Sequence, residues 1–332
     1  MKAVFFGTPA FAVPSLDAVL AACEIAAVVT QPDRPRGRGL RVEPSPVAAA
    51  ANQYALDVRQ PESLRDPGFL DALRALAPDL LIVVAYGRLI PPAALATARL
   101  GGINLHPSLL PRYRGAAPIP RAIAAGDRET GVTVLHLSDE MDAGDIILQR
   151  AAPILPEDTS ADLEPRLARD GATLLAEAVR LLDAGAAPRR PQDPTHVSFA
   201  PKVSREEALI RWSAPASAIV NLVRAFDPRP VAYTLRDGEP LKIWRASTVP
   251  EGCGALAGVD RPRPAPGSVV RADGGDPPLV VAAGEGWVAI HEVQPASGRR
   301  MSAAAYLRGH PLAPGTILGG GATTIDRTAN PV

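Results

Sequence analysis

The sequence predicts an α/β protein in which a mostly parallel sheet, covered by helices, is followed by a small antiparallel β-barrel. Two observations support this fold class. In the N-terminal part of the chain, short and almost continuously apolar segments alternate with segments of helical periodicity, which is the pattern of a sheet buried on both faces. Towards the C-terminus, short apolar segments follow one another between turns rich in glycine and proline, which favours an antiparallel barrel.

The N-terminal part contains these alternating segments in a regular order. Each predicted strand is an apolar run closed by glycine or a polar residue, and each predicted helix repeats its apolar residues at helical spacing. The longest helix starts at Thr159 and Ser160 and ends at Gly185, residue types that favour those positions. The predicted strands are 2–7, 24–31, 79–87, 101–110 and 130–138, and the predicted helices are 14–22, 44–56, 66–77, 118–126 and 159–185.

The character of the sequence changes after residue 185. Proline and polar residues dominate 186–204, and beyond one more helical segment at 213–226 only short strand-like segments follow. We therefore predict a Rossmann-like first domain and an OB-like second domain joined by a linker. The predicted bounds are 1–188 for the first domain, 189–204 for the linker, 205–310 for the barrel and 311–332 for a loose tail. Within the barrel, strands are predicted within 231–246, 266–274, 277–284 and 287–293, and a flexible loop at 250–267.

The composition argues against several classes of protein. The 35 basic and 35 acidic residues give a formal net charge of +0, so no overall positive field indicates nucleic acid. No apolar run is long enough to span a bilayer, and Pro9, Pro14 and Asp17 interrupt the N-terminal segment that otherwise resembles a signal peptide. Cys23 and Cys253 are too few for a disulfide framework or a metal cluster, so we expect reduced thiols in a cytoplasmic protein.

Four polar residues lie where two successive strands are predicted to end. Asn104 and His106 stand near the end of a predicted parallel strand, two residues apart and therefore on the same face. Asp142 and Asp145 follow in a glycine-containing loop after the next strand. If the strand ends are neighbours, a carboxylate can hold the imidazole in one tautomer, the Asn amide can donate to a developing oxyanion and the His can move a proton. Such a group suits addition to a carbonyl.

Each of these residues also has a purely structural interpretation. A single His at a strand end is often a structural residue, an Asn near a turn often caps the backbone, and Asp145 can cap the segment that follows it. Other chemistries lack their motifs, because the sequence contains no G-x-G-x-x-G, no Walker A sequence and no G-x-S-x-G. Its His, Cys and Glu residues do not have the spacing of metal ligands either. We therefore expect no nicotinamide or ATP site, no serine nucleophile and no metal.

Longer stretches of the sequence resemble one family. The segments INLHPSLLPRYRGAAPIPRAI and ETGVTVLHLSDEMDAGDII carry the Asn-x-His, the SLLP and the later Asp that are typical of the folate-dependent formyltransferase superfamily. Within it, the chain is similar to the branch whose acceptor is initiator methionyl-tRNA. The matching segments FFGTPAFAVPSL, VTQPDRPRGRG, PSPV, VVAYGRLIP, RAFDPRP, LKIW and QPASGRRMSAAAYLRG extend the resemblance over about residues 2–309.

The resemblance implies a reaction and a site. A formyl group passes from 10-formyltetrahydrofolate to the α-amino group of methionine on initiator tRNA, for translation initiation, without a metal or a covalent enzyme intermediate. Asn104, with His106, would stabilise the oxyanion, while His106 and Asp142 would manage protons. The residues that the resemblance implies at the folate pocket are Ser108, Leu109, Leu110, Pro111, Tyr86 and Leu89, with backbone groups of the first four at the pterin edge.

The segment QPDRPRGRGLR (31–41) contains four arginines and one aspartate. Its composition alone fits either a solvated surface loop or an RNA contact, because Arg suits phosphate and glycine lets a loop adapt. The resemblance favours tRNA binding by Arg34, Arg36, Arg38 and Arg41, with Arg38 foremost, and further phosphate contacts from the barrel. The expected partners are initiator methionyl-tRNA and the folate donor, and the protein is expected to be a monomer.

The chain departs from the family pattern at Pro107, Tyr113, Pro120 and Arg229, where the family commonly has a small residue, Trp, Gln and Trp. None of these positions is one of the three expected catalytic residues. Three alternatives stay open: a formyltransferase for a small amine such as an amino sugar or glycinamide ribonucleotide, a formyltetrahydrofolate hydrolase, and a tRNA-binding protein without activity. The first has less use for the arginine segment, and the intact trio argues against the last.

Overall fold

The structure, a computed structural model, describes residues 1–36, 41–250 and 263–319. The contacts of the chain divide it into two compact units. Unit 1 comprises 1–119, 129–154 and 162–202, and unit 2 comprises 120–128, 155–161 and the chain from 203 onwards. The segment expected to be a linker thus belongs to unit 1 as far as residue 202, and the domain bounds given above stay a prediction.

Unit 1 is organised around one large sheet. Its strands are β1 (Lys2–Gly7), β2 (Glu24–Val29), β3 (Arg34–Arg36), β4 (Arg41–Glu43), β5 (Val58–Arg59), β6 (Leu80–Val84), β7 (Gly102–His106), β8 (Glu129–His136) and β9 (Ile146–Pro153). Seven of them form a sheet in the order β5-β2-β1-β6-β7-β8-β9, and β3 and β4 form a separate ladder. The pairs from β5 to β7 are parallel, whereas β8 is antiparallel to both β7 and β9. The predicted mostly parallel sheet is confirmed.

Four of these strands, β3, β4, β5 and β9, are not predicted by the pattern of the sequence. Three of them have only two or three residues, and β9 alternates half-buried and exposed residues over its central positions because it lies at the edge of the sheet. The central strand β6 is buried at every position, as its continuous apolar run requires.

Helices connect the strands, and capping residues explain where two of them begin. The Ser45 side chain accepts from the Ala48 N–H at 3.0 Å, and the Asp66 side chain accepts from the Phe69 N–H at 2.8 Å; a proline follows each cap. The helices are α1 (Val13–Leu20), α2 (Pro46–Gln53), α3 (Pro67–Ala75), α4 (Pro92–Leu95), α5 (Pro118–Ala125) and α6 (Ser160–Asp183), and 3₁₀ turns lie at Ala10–Ala12, Pro194–His196 and Glu206–Ala208. Only α4 is unpredicted among these α-helices, because four residues are too few to show a period.

Unit 2 is an antiparallel half-barrel, which confirms the predicted fold class of the C-terminal part. It contains α7 (Ala216–Ala225), β10 (Tyr233–Arg236), β11 (Glu239–Val249), β12 (Val269–Arg271), β13 (Leu279–Ala282), β14 (Trp287–Pro295), β15 (Met301–Ser302) and α8 (Ala303–Gly309). The strand order is β10-β11-β14-β13-β12, with β15 beside β14. Trp212 lies in the core with Ile219 and Ile290, and its indole N–H donates to the Thr234 hydroxyl at 2.9 Å.

The prediction of a loose tail from residue 311 is wrong for residues 311–319. Leu312 and Leu318 are 7% and 2% exposed, and the Val269 N–H donates to the Thr316 carbonyl at 2.7 Å. Isolated leucines between glycine and proline have no periodicity that could predict this packing. Residues 320–332 and most of the loop predicted at 250–267 lie outside the described residues. In the part of the chain that is described, no helix combines the length and the apolar character needed to cross a membrane.

Candidate active site

The polar residues of β7 lie at the carboxyl edge of the parallel part of the sheet. β7 pairs in parallel with β6, so that Asn104 lies beside Val83, and the strand ends at His106. Pro107 follows directly and has no N–H for a further ladder hydrogen bond. Ligands of open α/β sheets bind at this edge. His106 is 4% exposed and Asn104 is half-buried, so both side chains are largely shielded from water.

The loop between β8 and β9 brings Asp142 to both residues. Nδ2 of Asn104 lies 3.4 Å from Oδ1 of Asp142, and Nδ1 of His106 lies 3.6 Å from Oδ2. The expected proximity of the three side chains is therefore present, although β8 runs antiparallel to β7 and ends beside Ile103. The contact arises because the loop after β8 returns along β7. Both distances are long for hydrogen bonds, and the structure leaves the catalytic roles as predictions.

The other ring nitrogen of His106 determines its tautomer. Nε2 lies 2.9 Å from the backbone carbonyl of Tyr113. Because a carbonyl can only accept, Nε2 must carry the proton, and a neutral imidazole then presents the lone pair of Nδ1. That lone pair is on the side of Asp142, whose Oδ2 lies 3.6 Å from Nδ1. The geometry thus equips Nδ1 to take up a proton.

Asp142 is held in an unusual backbone conformation. Its φ is 54°, in the left-handed region that Asp tolerates better than most residues. The Gly115 N–H donates to Oδ2 at 2.9 Å, which orients the carboxylate. Two residues on, Gly144 passes so close to the His136 carbonyl that a Cβ at this position would collide with it. The loop can therefore take this path only with glycine at 144.

The expected folate segment, Ser108–Pro111, lies beside β8. The Thr133 hydroxyl donates to the Ser108 carbonyl at 2.6 Å and lies 3.2 Å from the Leu110 N–H, and the Gln149 amide donates to the Leu110 carbonyl at 2.8 Å. These backbone groups of Ser108 and Leu110 therefore already have partners within the protein. A pterin that used the Leu110 N–H would have to displace Thr133.

Sequence reasoning misses Thr133 and Gln149. Thr133 pairs with His106 across β7 and β8, and Gln149 pairs with Thr133 across β8 and β9. A prediction that the strands at 101–110 and 130–138 pair in antiparallel register would have placed Thr133 beside His106. Gln149 lies on β9, a strand that the sequence pattern does not predict. Leu109, also in the folate segment, packs against Gly131, where a Cβ would meet the leucine side chain.

A cavity of about 630 Å³ opens beside Leu89, within the size range of small-molecule sites. Leu89 is 66% exposed and lines it together with Arg65, Arg88 and Asp139. Tyr86 is placed differently. Its side chain is 1% exposed in the core, edge-on to Phe6 with ring centroids 5.5 Å apart, and burial raises the pKa of its hydroxyl. Of the six residues expected at the folate pocket, only Leu89 lines this cavity.

Two loops form the site, residues 107–117 after β7 and residues 137–145 after β8. Residues 188–200, here called the 188–200 segment, contact both of them. Arg190 pairs with Ile146, and the Gln192 amide donates to the carbonyls of Asp142 and Gly144 at 2.7 and 2.9 Å. Further along, Ala200 donates to the Arg114 carbonyl at 2.7 Å. Except for residue 188, the segment lies within the expected linker, and its irregular, proline-rich sequence carries no signal for these contacts.

His136 and Asp145 lie outside the trio. His136 pairs with Ile103 and thus faces the side of the sheet opposite to Asn104. Burial lowers the pKa of His136, and the charge of Arg189 lowers it further. The Asp145 carboxylate lies 3.6 Å from Nη1 of Arg189. The expectation that Asp145 matters less than Asp142 stays a prediction.

The predicted tRNA-binding arginines are only partly within the described residues. Arg34 and Arg36 lie on β3 and Arg41 lies on β4, with Arg36 paired to Arg41 in an antiparallel ladder. Arg38 lies between these strands, outside the described residues. Across the described ranges, no group of three or more His, Cys, Asp or Glu side chains is arranged to hold a metal ion.

Family models of known proteins match both parts of the chain. The model described as "Formyl transferase" matches residues 1–179, and the model described as "Formyl transferase, C-terminal domain" matches residues 202–311. Together they cover nearly the same range as the sequence resemblance.

Individual proteins are similar along most of the chain. The methionyl-tRNA formyltransferase of Moorella thermoacetica is 48% identical over 321 residues, which cover 96% of this chain and 99% of that protein. The N-formyltransferase from Helicobacter canadensis, solved with folinic acid and dTDP-3-aminofucose, has a TM-score of 0.61 at 18% identity over 87% of this chain and 98% of its own. HypX from Aquifex aeolicus in complex with tetrahydrofolic acid has a TM-score of 0.59 at 21% identity over 92% of this chain and 47% of its own. These two structural likenesses show the fold alone.

Proposed function

The chain belongs to the family of methionyl-tRNA formyltransferases, and on this basis we propose that it transfers a formyl group from 10-formyltetrahydrofolate to the α-amino group of methionine on initiator tRNA. One observation supports the location of the chemistry: Asn104, His106 and Asp142 converge at the carboxyl edge of the sheet. The reaction serves translation initiation in the cytoplasm, and the protein acts as a monomer.

Asn104 acts on the oxygen of the formyl group. The neutral amine attacks the formyl carbon, and the C=O bond becomes a C–O⁻ bond in a tetrahedral intermediate. The Asn104 amide makes only a long hydrogen bond, at 3.4 Å, to Asp142, so donating to the oxyanion costs it little. A donor aimed at developing negative charge in a shielded site is one of the stronger catalytic devices available to a protein.

His106 and Asp142 move the proton. The amine loses a proton as it attacks, and N10 of the folate gains one as its bond to the formyl carbon breaks, so the step needs one proton carried between them. Nδ1 of His106 has the free lone pair, because Nε2 is committed to Tyr113. Asp142, 3.6 Å away, stabilises the imidazolium while it holds the proton.

The donor extends from the trio into the cavity beside Leu89, whose lining contains none of the three trio residues. The apolar part of this lining suits an aromatic ring of the donor, and the guanidinium groups of Arg65 and Arg88 suit the carboxylates of the folate tail. Arg88 already donates to the Glu62 carbonyl at 2.6 Å, which fixes one end of its side chain. Membership of the formyl transferase family supports a folate-derived formyl donor.

The acceptor tRNA is held by the arginines of 31–41 and by phosphate contacts from unit 2. Four arginines in a short, glycine-rich segment give a dense local positive charge on a chain that is neutral overall. This local concentration of charge suits a partner that is bound through its phosphates.

The test is to offer 10-formyltetrahydrofolate with a labelled formyl group to four acceptors in parallel: initiator methionyl-tRNA, free methionine, an amino-sugar nucleotide and water. We expect label to enter only the tRNA. Label on the amino sugar would indicate a small-amine formyltransferase, and donor consumed without an acceptor would indicate a hydrolase. Binding of tRNA without any loss of donor would indicate a protein that has no activity.

A further inference from the structure

Gln192 connects the two loops of the site through one side-chain amide. Its Nε2 donates to the carbonyls of Asp142 and Gly144 at 2.7 and 2.9 Å. Its Oε1 accepts from Arg114, at 3.1 Å from Nε and 2.7 Å from Nη2. Two carbonyls can only accept and a guanidinium can only donate, so the partners determine the orientation of the amide.

On the Nε2 side, the two carbonyls that accept from Gln192 belong to the turn that carries Asp142. Asp142 has a φ of 54°, a conformation that costs free energy outside glycine and persists only where the surroundings hold it. The carbonyl of Asp142 itself is one of the two acceptors. Gln192 therefore stabilises the backbone conformation from which the Asp142 carboxylate extends.

On the Oε1 side, Arg114 stands between the two residues that hold the trio. Its predecessor Tyr113 accepts from His106 through its carbonyl, and its successor Gly115 donates to Asp142 through its N–H. Arg114 is also bonded through its backbone, to the Ser198 carbonyl at 2.8 Å and the Ala200 N–H at 2.7 Å. A displacement of Arg114 would therefore reach both His106 and Asp142.

We infer that Gln192 is a positioning residue, which keeps His106 and Asp142 in the relative geometry needed for proton transfer without touching either substrate. This inference rests on the proposed function, because it concerns the same trio. The nearest alternative is that Gln192 only stabilises the fold, in which case turnover would follow thermal stability and nothing else.

Two substitutions separate the roles of the amide. Gln192→Ala removes every bond, whereas Gln192→Glu, assayed at pH 8, keeps an acceptor for Arg114 but has no donor for the two carbonyls. Gln294→Ala is the matched control, because Gln294 also uses its amide to donate to a carbonyl, of Gly298 at 3.0 Å, and to accept, from Trp244 at 3.1 Å, but in unit 2.

We expect kcat to fall roughly 10–100-fold in both Gln192 variants with KM for donor and tRNA within about threefold, because misplaced catalytic groups lower turnover rather than binding. Gln192→Glu should melt close to the wild type, since its bond to Arg114 becomes an ion pair. The imidazole signals of His106 in the ¹H–¹⁵N spectrum should move in both variants and stay unchanged in Gln294→Ala. In the Arg114→Ala background, Gln192→Ala should lower kcat little further, because both changes break the same bridge.

Folded Gln192→Glu protein with kcat within twofold of the wild type would overturn the inference, as would unchanged His106 signals. If Gln192→Ala does not fold, the decision rests on Gln192→Glu alone. Wild-type turnover is measured first, so that an inactive wild type counts against the proposed function and an active wild type with active Gln192 variants counts only against this inference.

Discussion

Nδ1 of His106 faces the carboxylate of Asp142 at 3.6 Å, while the opposite ring nitrogen is bonded to the Tyr113 carbonyl. The ring is therefore held from one side and left able to gain a proton on the other. In the proposed mechanism, Asp142 contributes to catalysis through its negative charge. Its shape and its tolerance of a left-handed backbone are shared by asparagine.

The first prediction follows from that distinction and concerns Asp142→Asn. We expect kcat to fall on the order of 10²–10⁴-fold, the usual size of an acid–base contribution, with the fold intact. Asp145→Asn is the matched control, because it makes the same change in the same loop at a residue whose carboxylate lies near Arg189. Steady-state kinetics measure kcat of both variants, and an equal loss of kcat in the two would argue against a special role for Asp142.

The second prediction concerns the oxyanion. Asn104→Ala should lower kcat roughly 10²–10³-fold, because it removes one donor aimed at developing charge. Binding of tRNA should barely change, as measured by filter binding. Asn52→Ala, on the exposed face of α2, is the control for loss of an amide. Near-normal turnover of Asn104→Ala would exclude the proposed role.

The third prediction separates recognition of tRNA from chemistry. Arg38→Ala should weaken productive use of initiator tRNA and leave donor binding intact. If the lost contact is to phosphate, the salt dependence of tRNA binding should become shallower by about one unit of slope or less. If it is to a base edge, discrimination against elongator tRNA should fall by roughly 1–3 kcal/mol.

Arg74→Ala is the control for Arg38→Ala, because it removes the same charge from the surface of α3, where Arg74 pairs with Asp71. Titrations with both tRNAs at several salt concentrations measure the effect. If Arg38→Ala and Arg74→Ala behave alike, the 31–41 segment is a solvated surface loop, and the tRNA contacts must be sought in unit 2.

The fourth prediction concerns the path of the loop that carries Asp142. In Gly144→Ala the new methyl group would overlap the His136 carbonyl, so the backbone has to move. We expect destabilisation of about 1–3 kcal/mol and a loss of kcat. Gly309→Ala, in open space at the end of α8, should change neither. Chemical denaturation and kinetics of the two variants test this, and a Gly144→Ala protein of wild-type stability would contradict it.

The fifth prediction concerns stability in acid. Burial holds the pKa of His136 below its ordinary value of 6.5. The unfolded chain therefore takes up the proton first as the pH falls through 6.5, and the free energy of unfolding decreases until the pH passes the folded pKa. His136→Gln should lose less stability than the wild type between pH 7.5 and pH 5.

The expected result for His136→Gln is a smaller difference between denaturation midpoints at the two pH values, and some acid sensitivity should persist. The pKa of His291 is also lowered, first by burial and then by Arg245, so His291→Gln serves as the parallel variant. An acid loss in His136→Gln as large as that of the wild type would contradict the prediction.

Sequence patterns predict the parts of the fold and site that depend on local chemistry. The apolar runs of β6 and β7 indicate buried strands, and the Asn-x-His at the end of β7 indicates a polar group at a sheet edge. The Tyr113 carbonyl that holds His106 leaves no side-chain signature, since every residue has a carbonyl. Gln149 and Gln192 act through tertiary placement, one on an edge strand and one in an irregular segment, and no periodicity marks them.

The trio comes from residues 104–142, but besides the bond from Gly115 to Asp142, further bonds that tie its loops together come from residues 188–200. A nascent chain is made from its N-terminus, so Asn104, His106 and Asp142 leave the ribosome well before Gln192, Ser198 and Ala200 do. The bonds to the Asp142 turn and to Arg114 can form only once this later stretch has been synthesised. A chain interrupted near residue 187 would contain all three side chains of the trio and none of the hydrogen bonds that Gln192 supplies.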